Sequence, residues 1–302
     1  MNQVRKIRKV YKSKPTLEGA GVALKRAFGF REPQQFDPFL LLDDFRSDNP
    51  SDYLEGFPFH PHRGIETITY MLKGTIEHQD SLGNQGVIGP GDVQWMTAGS
   101  GIIHQEMPKP DPQGSMHGFQ LWANLPARYK MMPPRYQEIK ADQIPTLQAD
   151  GGVLIRLICG SVAGVQGPVS QVMIAPQYLD VTVPPETEYI HPTPLGHTVF
   201  AYVIAGLGAF CQQEDPFSYE MEGANYFDTQ RSGVLSNESL VLFEDGDAVR
   251  VRASSEGARF LLISGKPIGE PVAWYGPIVM NTQTELRLAF DELQAGTFIK
   301  HP

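Results

Sequence analysis

The chain has 302 residues, 41% of them apolar and 20% charged, with a formal net charge of −9. Length and composition fit a soluble globular protein of about two domains. The acidic balance argues against direct nucleic-acid binding, which needs a positive face for phosphates. The longest apolar run, "VFAYVIAGLGAF" (199–210), falls well short of the roughly 20 residues of a membrane-spanning helix.

Residues 5–14 are strongly basic and read as a first strand with solvated lysines and arginines. No apolar stretch of the secretory type follows them. Cys159 and Cys211 lie in apolar, strand-like surroundings without CxxC spacing, as expected of free thiols in a reducing compartment. A cytoplasmic location is therefore expected. "DPFLLLDDF" (37–45) reads as a strand followed by a turn. "FPFHPHRGIETITYML" then opens a series of short strands, continued by "TIEHQD", "GVI", "VQWMT" and "IIHQEM". The pieces between them, "LGNQG", "GPGD" and "AGSG", are turn punctuation. "HGFQLWANLP" adds a strand, and residues 130–152 read as the inter-domain connection.

The second half repeats this plan. Tyr202 and Gly206 stand where Tyr70 and Gly74 stand, and Gly246–Asp247 where Gly91–Asp92 stand. By the same alignment Pro192 and Pro194 fall opposite His60 and His62, and Arg259 and Leu261 opposite His104 and Glu106. The tail "TELRLAFDELQAG" (284–296) reads as an amphipathic helix ended by Gly296. The expected fold is all-β, with two tandem antiparallel barrels and a short C-terminal helix. The expected domains are residues 1–135, bearing a metal, and residues 136–302, without metal ligands.

The candidate chemistry lies in "HPH" and "HQE". Residues i and i+2 share a face of a strand, so His60 pairs with His62 and His104 with Glu106. Inward-facing residues of a barrel converge. Three imidazoles and a carboxylate suit a divalent transition metal better than calcium or magnesium. Glu66, on the strand after His62, is the competing carboxylate. His78 reads as a surface hairpin residue, and His117 as a possible neighbour of the ligands.

"FPFHPHRGIETITYMLKG", "PGDVQWMTAGSGIIHQEMP" and "HGFQLWANLP" resemble the blocks of the pirin family, bicupins of the cupin superfamily. "DPFLLLDDF" and "GPIVMNT" (276–282) extend the likeness over nearly the whole chain, whereas residues 212–233 match no family block. The resemblance implies two tandem, jelly-roll-like cupin barrels with one metal in the N-terminal one. That metal is iron first, with manganese, nickel, copper and zinc as alternatives. Its implied ligands are His60, His62, His104 and Glu106, with Glu66 left as an acid that supports the ligands or gates the site. Cupins at large would use Glu66 as the ligand instead, and spacing alone does not choose between the two acids.

Some family members act as quercetin 2,3-dioxygenases. The leading expectation is thus a metal-dependent oxygenase taking a flavonol-type aromatic substrate and O2. Glu106 and Glu66 are its candidate acid–base groups, and Phe59, Trp95, Met96 and Phe119 its candidate substrate contacts. The alternative implied by the family is an iron-dependent, redox-responsive regulator that binds a protein partner, nuclear as well as cytoplasmic in an animal. A third reading is a purely structural ion. An open pocket above the metal favours catalysis, and a sealed one favours regulation.

Overall fold

The computed structural model describes residues 3–211, 215, 217–222 and 232–301. Most of the unmatched stretch 212–233 therefore lies outside the described residues. The described chain is almost entirely β, with one α-helix, Gln283–Gln294. It forms two compact units, and each takes up one terminus of the chain. Residues 14–143 go with 268–302, and residues 1–13 with 144–267. The contiguous division at residue 135 differs from this at both ends. Ile7–Lys12 pairs with Ser239–Phe243, and Arg63 bridges to Ile278. Backbone hydrogen bonding, which a hydropathy pattern does not display, assigns the two ends.

The unit holding His60 contains two large antiparallel sheets and a small hairpin, Ala273–Tyr275 with Ile278–Met280. One has seven strands in the order Arg135–Ile139, Val93–Thr97, Ile65–Lys73, His117–Asn124, Phe39–Asp44, Val22–Phe28 and Lys14–Glu18. The other has four, Phe57–His62, Ile102–Lys109, Thr75–Asp80 and Gln85–Ile88. Tight turns connect them, and at Gly74 (φ 69°) and Gly91 (φ 84°) the left-handed backbone favours glycine. Register determines what faces the interior, because paired residues share a face. Across six strands of the large sheet one row reads Glu138–Gln94–Thr69–Gln120–Asp43–Arg26. Every member is polar. Its neighbour reads Tyr136–Met96–Thr67–Trp122–Leu41.

The other unit shows the contrary filling. Its row Val10–Val241–Ala201–Leu262–Leu179–Leu157 is apolar from end to end and lies in one buried cluster. Gly206 (φ 67°) repeats the turn conformation of Gly74, as the internal duplication predicts. The equivalence of single residues is shifted, however. The strand that corresponds to Phe57–His62 is Glu188–Pro192, which pairs with the first arm of Ala248–Gly265. Its buried positions are Tyr189 and His191, facing Val251 and Val249, not Pro192 and Pro194. Arg259 and Leu261 lie on the second arm, which pairs as His117–Asn124 does. His191 also has both ring nitrogens occupied. Tyr189 Oη donates to Nδ1 at 2.8 Å, and Nε2–H donates to Gln177 Oε1 at 2.8 Å. One satisfied imidazole among valines does not make a metal site.

The basic N-terminal stretch is only partly solvated. Arg5 is buried, and its guanidinium donates to Thr193 Oγ1 and to the carbonyls of Pro194, His197 and Glu244. Cys159 and Cys211 are buried and form no disulfide. Among the described residues no helix is long and apolar enough to cross a membrane. The C-terminal helix opens with a capping box between Thr282 and Glu285. It buries Leu286 and Ala289, whereas Leu288 faces out.

Burial pushes the His191 imidazole down to about 4 from its ordinary 6.5. Below 6.5 the unfolded chain takes up a proton that the folded chain refuses, so stability falls as pH drops toward 4. The contribution present at pH 7 and lost on acidification amounts to at most about 3 kcal/mol. Urea unfolding of His191→Asn is expected to show a shallower loss between about pH 7 and 4.5 than the parent. Identical pH slopes would contradict this account of His191.

Candidate metal centre

His60 and His62 stand on one face of Phe57–His62, and His104 is paired with His60 across the sheet. Alternation on two adjacent strands therefore brings three imidazoles together. One ring nitrogen from each lies within 4.8 Å of those of the others. His60 Nδ1 lies 2.9 Å from the carbonyl of Pro58, and His62 Nδ1 lies 3.2 Å from that of Pro277. Carbonyls only accept, so both Nδ1 atoms carry the hydrogen and both Nε2 atoms present lone pairs. Those two Nε2 atoms are 3.0 Å apart. Neither ring nitrogen of His104 has a hydrogen-bond partner among the described residues. Burial holds His62 and His104 well below the ordinary imidazole range, and the neutral ring is the form that ligates.

This arrangement fits a metal ion. Lone pairs converge without a donor between them, and a buried imidazole is left orphaned. Two nitrogens bound at about 2.1 Å and at right angles around one ion would be about 3.0 Å apart. Imidazole is a ligand for iron, nickel, copper and zinc.

The two candidate carboxylates separate by parity. Glu106, on the buried face of its strand with His104, accepts from Thr69 Oγ1 at 3.2 Å and from Gln120 Nε2 at 3.4 Å. Its oxygens are not in the three-imidazole group, and both contacts are long enough to be readily exchanged. Glu66 occupies the face of its strand opposite to Thr67 and Thr69. It is fully buried, accepts from Thr97 Oγ1 at 2.7 Å, and burial raises its pKa. The structure does not bring it to the histidines, so its reading as a gating acid is not carried forward.

A cavity of about 370 Å³ opens onto His60 and His62. Its wall includes Leu41, Asp43, Phe57, Gln120, Trp122 and Pro277, and the Trp122 ring lies 5.0 Å from that of His62. Arg26, also on the wall, is committed by a bidentate pair with Asp43 (2.8 and 2.7 Å) and an ion pair with Glu18 at 2.8 Å. The four expected substrate contacts lie elsewhere. Phe59 points outward and is 54% exposed. Trp95 and Phe119 share the face of Glu66, and Arg46 covers the Phe119 ring. Met96 shares the face and the cluster of Trp122 and Leu41 but does not line the cavity. Choosing Gln120 and Trp122 over Phe119 required only the parity of "HGFQLWANLP", whose inward phase no hydropathy rule supplies.

Two other histidines are placed differently from expectation. His78 is buried, pairs with Glu106 in register, and stacks on Tyr136 with centroids 5.7 Å apart. The alternation Ile76–His78–Asp80, all buried, was the missed signal. His117 instead hydrogen-bonds Asp48 at 2.8 Å.

Fold and site together define a protein of two cupin-type barrels, one of which carries a tri-histidine centre facing an open cavity. The family model for pirin matches residues 21–123, and that for the pirin C-terminal cupin domain matches residues 178–299. The chain belongs to the pirin family. It is 46% identical to a pirin-like protein of Caulobacter vibrioides over 98% of this chain and 99% of that one. It is 41% identical to a Pseudomonas aeruginosa protein named as a proposed quercetin 2,3-dioxygenase, over 98% and 99%. A solved quercetin 2,3-dioxygenase of Acinetobacter baumannii superposes with a TM-score of 0.84 at 30% identity, covering 98% of each chain. The bacterial pirin YhhW of Escherichia coli, solved with nickel(II), shares the fold with a TM-score of 0.62 at 20% identity, covering 85% and 98%.

If the imidazoles are the ligands, His104→Ala should weaken nickel(II) binding at least about 100-fold by calorimetry, beyond the 10–100-fold typical of outer partners. Glu66→Gln, on the far face, should leave that affinity within about twofold. The reverse pattern would place the ion on the other side of the sheet.

Proposed function

We propose that the protein is a metal-dependent dioxygenase of the quercetin 2,3-dioxygenase type, acting on a flat, hydroxylated aromatic substrate with O2. The observation that carries this reading is the cavity that reaches His60 and His62 between Leu41 and Trp122. A sealed site would have favoured a regulatory role, with a protein partner sensing the metal. The names of the Pseudomonas and Acinetobacter relatives support the same activity.

His60, His62 and His104 would hold the ion, with Glu106 turning from Thr69 and Gln120 to complete the set. A divalent metal there, iron first, supplies Lewis-acid polarisation of a substrate hydroxyl and electron exchange with O2. The chain's own contribution is positional and acid–base. Trp122, Leu41 and Phe57 present apolar surface to an aromatic ring, and desolvation by them binds it. Gln120 stands on the wall and donates to Glu106 Oε2, so the carboxylate lies one side chain from the substrate space. On turning inward, Glu106 can take the hydroxyl proton, given hydrogen-bond reach. Arg26, tied to Asp43 and Glu18, is not free to pair with a substrate carboxylate.

Aerobic assay of protein loaded in turn with iron, manganese, nickel, copper and zinc tests the proposal. Quercetin consumption with release of carbon monoxide is expected with at least one metal, and none with any of them overturns it. Glu106→Gln should lower kcat by about 100-fold or more. Trp122→Ala should mainly raise KM, by roughly tenfold for about 1.5 kcal/mol of lost burial. An unchanged KM would remove Trp122 from the substrate wall.

A further inference from the structure

The residues behind the histidines converge on one segment of the chain. The carbonyl that orients His62 belongs to Pro277. The next residue after His62 is Arg63, whose guanidinium is buried. Its Nε donates to the Ser100 carbonyl at 2.6 Å, Nη1 to Glu292 Oε2 at 2.8 Å, and Nη2 to the Phe298 carbonyl at 2.8 Å. The same guanidinium lies 4.2 Å from the centre of the Phe298 ring. Ser100 sits in the turn that leads into the His104 strand. Its neighbour Gly101 packs so tightly against Phe298 that an added Cβ would lie 2.9 Å from the ring. Gly64 approaches Val279 more closely still, with an added Cβ 1.9 Å from its carbonyl oxygen. Lys130 Nζ ties the carbonyls of Gly64 and Val279 to Asn124 Oδ1.

Both turns that aim the imidazoles are thus gripped by residues 277–298. A buried guanidinium with three fixed acceptors transmits displacement, because leaving any acceptor costs a charged hydrogen bond. We propose that residues 277–298 are a working part of the metal centre, so that metal binding and docking of the helix Gln283–Gln294 reinforce one another. The proposal rests on the tri-histidine reading. Arg63 and Glu292 are positioning residues in it, acting through His62 and the Ser100 turn. Linkage makes the coupling reciprocal. If the docked helix favours the metal, the metal must favour the docked helix by the same factor.

The test uses the full chain and nickel(II). Hydrogen exchange of amides in 283–294 should slow on nickel addition in the parent. Glu292→Gln should weaken nickel affinity about fivefold or more and reduce that protection, with Glu292→Asp recovering part of both. Phe298→Leu, which keeps its carbonyl, provides a second variant and should show the same pair of effects. A lowered melting temperature with unchanged nickel affinity and unchanged protection is the result of a merely structural clamp, and it overturns the coupling. His104→Ala separates the two failures. If it too binds nickel as the parent does, the metal centre itself is wrong. If it loses nickel while Glu292→Gln and Phe298→Leu do not, only the coupling is wrong.

Discussion

Two imidazole nitrogens, each with a lone pair and 3.0 Å apart, are a costly thing to place together, one ring buried and the other half-buried. His60 Nε2 and His62 Nε2 stand this way because Pro58 and Pro277 hold the hydrogens on the opposite sides of the rings. A third imidazole, His104, completes the group with no hydrogen bond of its own among the described residues. Neutral nitrogens facing one another repel weakly and gain nothing from the protein, so the arrangement has its physical sense in a cation between them. Much else in this unit serves that arrangement: the carbonyls, the turns at Gly64 and Gly101, the guanidinium of Arg63, and the C-terminal segment they grip.

The two barrels of this one chain are filled in opposite ways. Six strands of one sheet carry the apolar row from Val10 to Leu157, which needs nothing but burial. One sheet of the other carries buried Gln94, Thr69 and Asp43 with half-buried Gln120 and Arg26, and the row ends at exposed Glu138. A polar row inside a barrel is destabilising unless each group is satisfied. Arg26 and Asp43 satisfy each other, and Thr69 and Gln120 converge on Glu106. Gln94 Nε2 and both nitrogens of His78 lack a hydrogen bond among the described residues, with Glu138 Oε2 3.8 Å from His78 Nε2. The interior is therefore organised around polar contents, and the open cavity lies on the same face.

The convergence of His60, His62 and His104 was legible because strand alternation is rigid. Two residues apart on a strand means one face, whatever the tertiary context. The glycine turns were legible for a similar reason, since a left-handed backbone at Gly74 or Gly206 has few other occupants. Which face of each strand looks at the three histidines was not legible where both faces are buried. In Ile65–Lys73 every residue from 65 to 71 is buried, so hydropathy had no phase to offer. Glu66, Trp95 and Phe119 were accordingly assigned to the wrong side, and Gln120 and Trp122 were passed over. His78 was misplaced although its alternation was present, because its glutamate and glutamine neighbours made the stretch read as surface.

By itself, the sequence determined the β-rich architecture, the duplication, the C-terminal helix ended by Gly296, and which histidines share a face. These follow from short-range rules of alternation, turn geometry and capping, which act over a few residues. The tertiary structure alone decided that the two termini exchange units, that Pro277 orients His62, that Arg63 joins two turns to the last helix, and that Trp122 and not Phe119 faces the cavity. Those outcomes depend on contacts between residues far apart in the chain, such as 62 with 277 and 63 with 298. Pairing register and close packing select such contacts, and neither is written in local hydropathy.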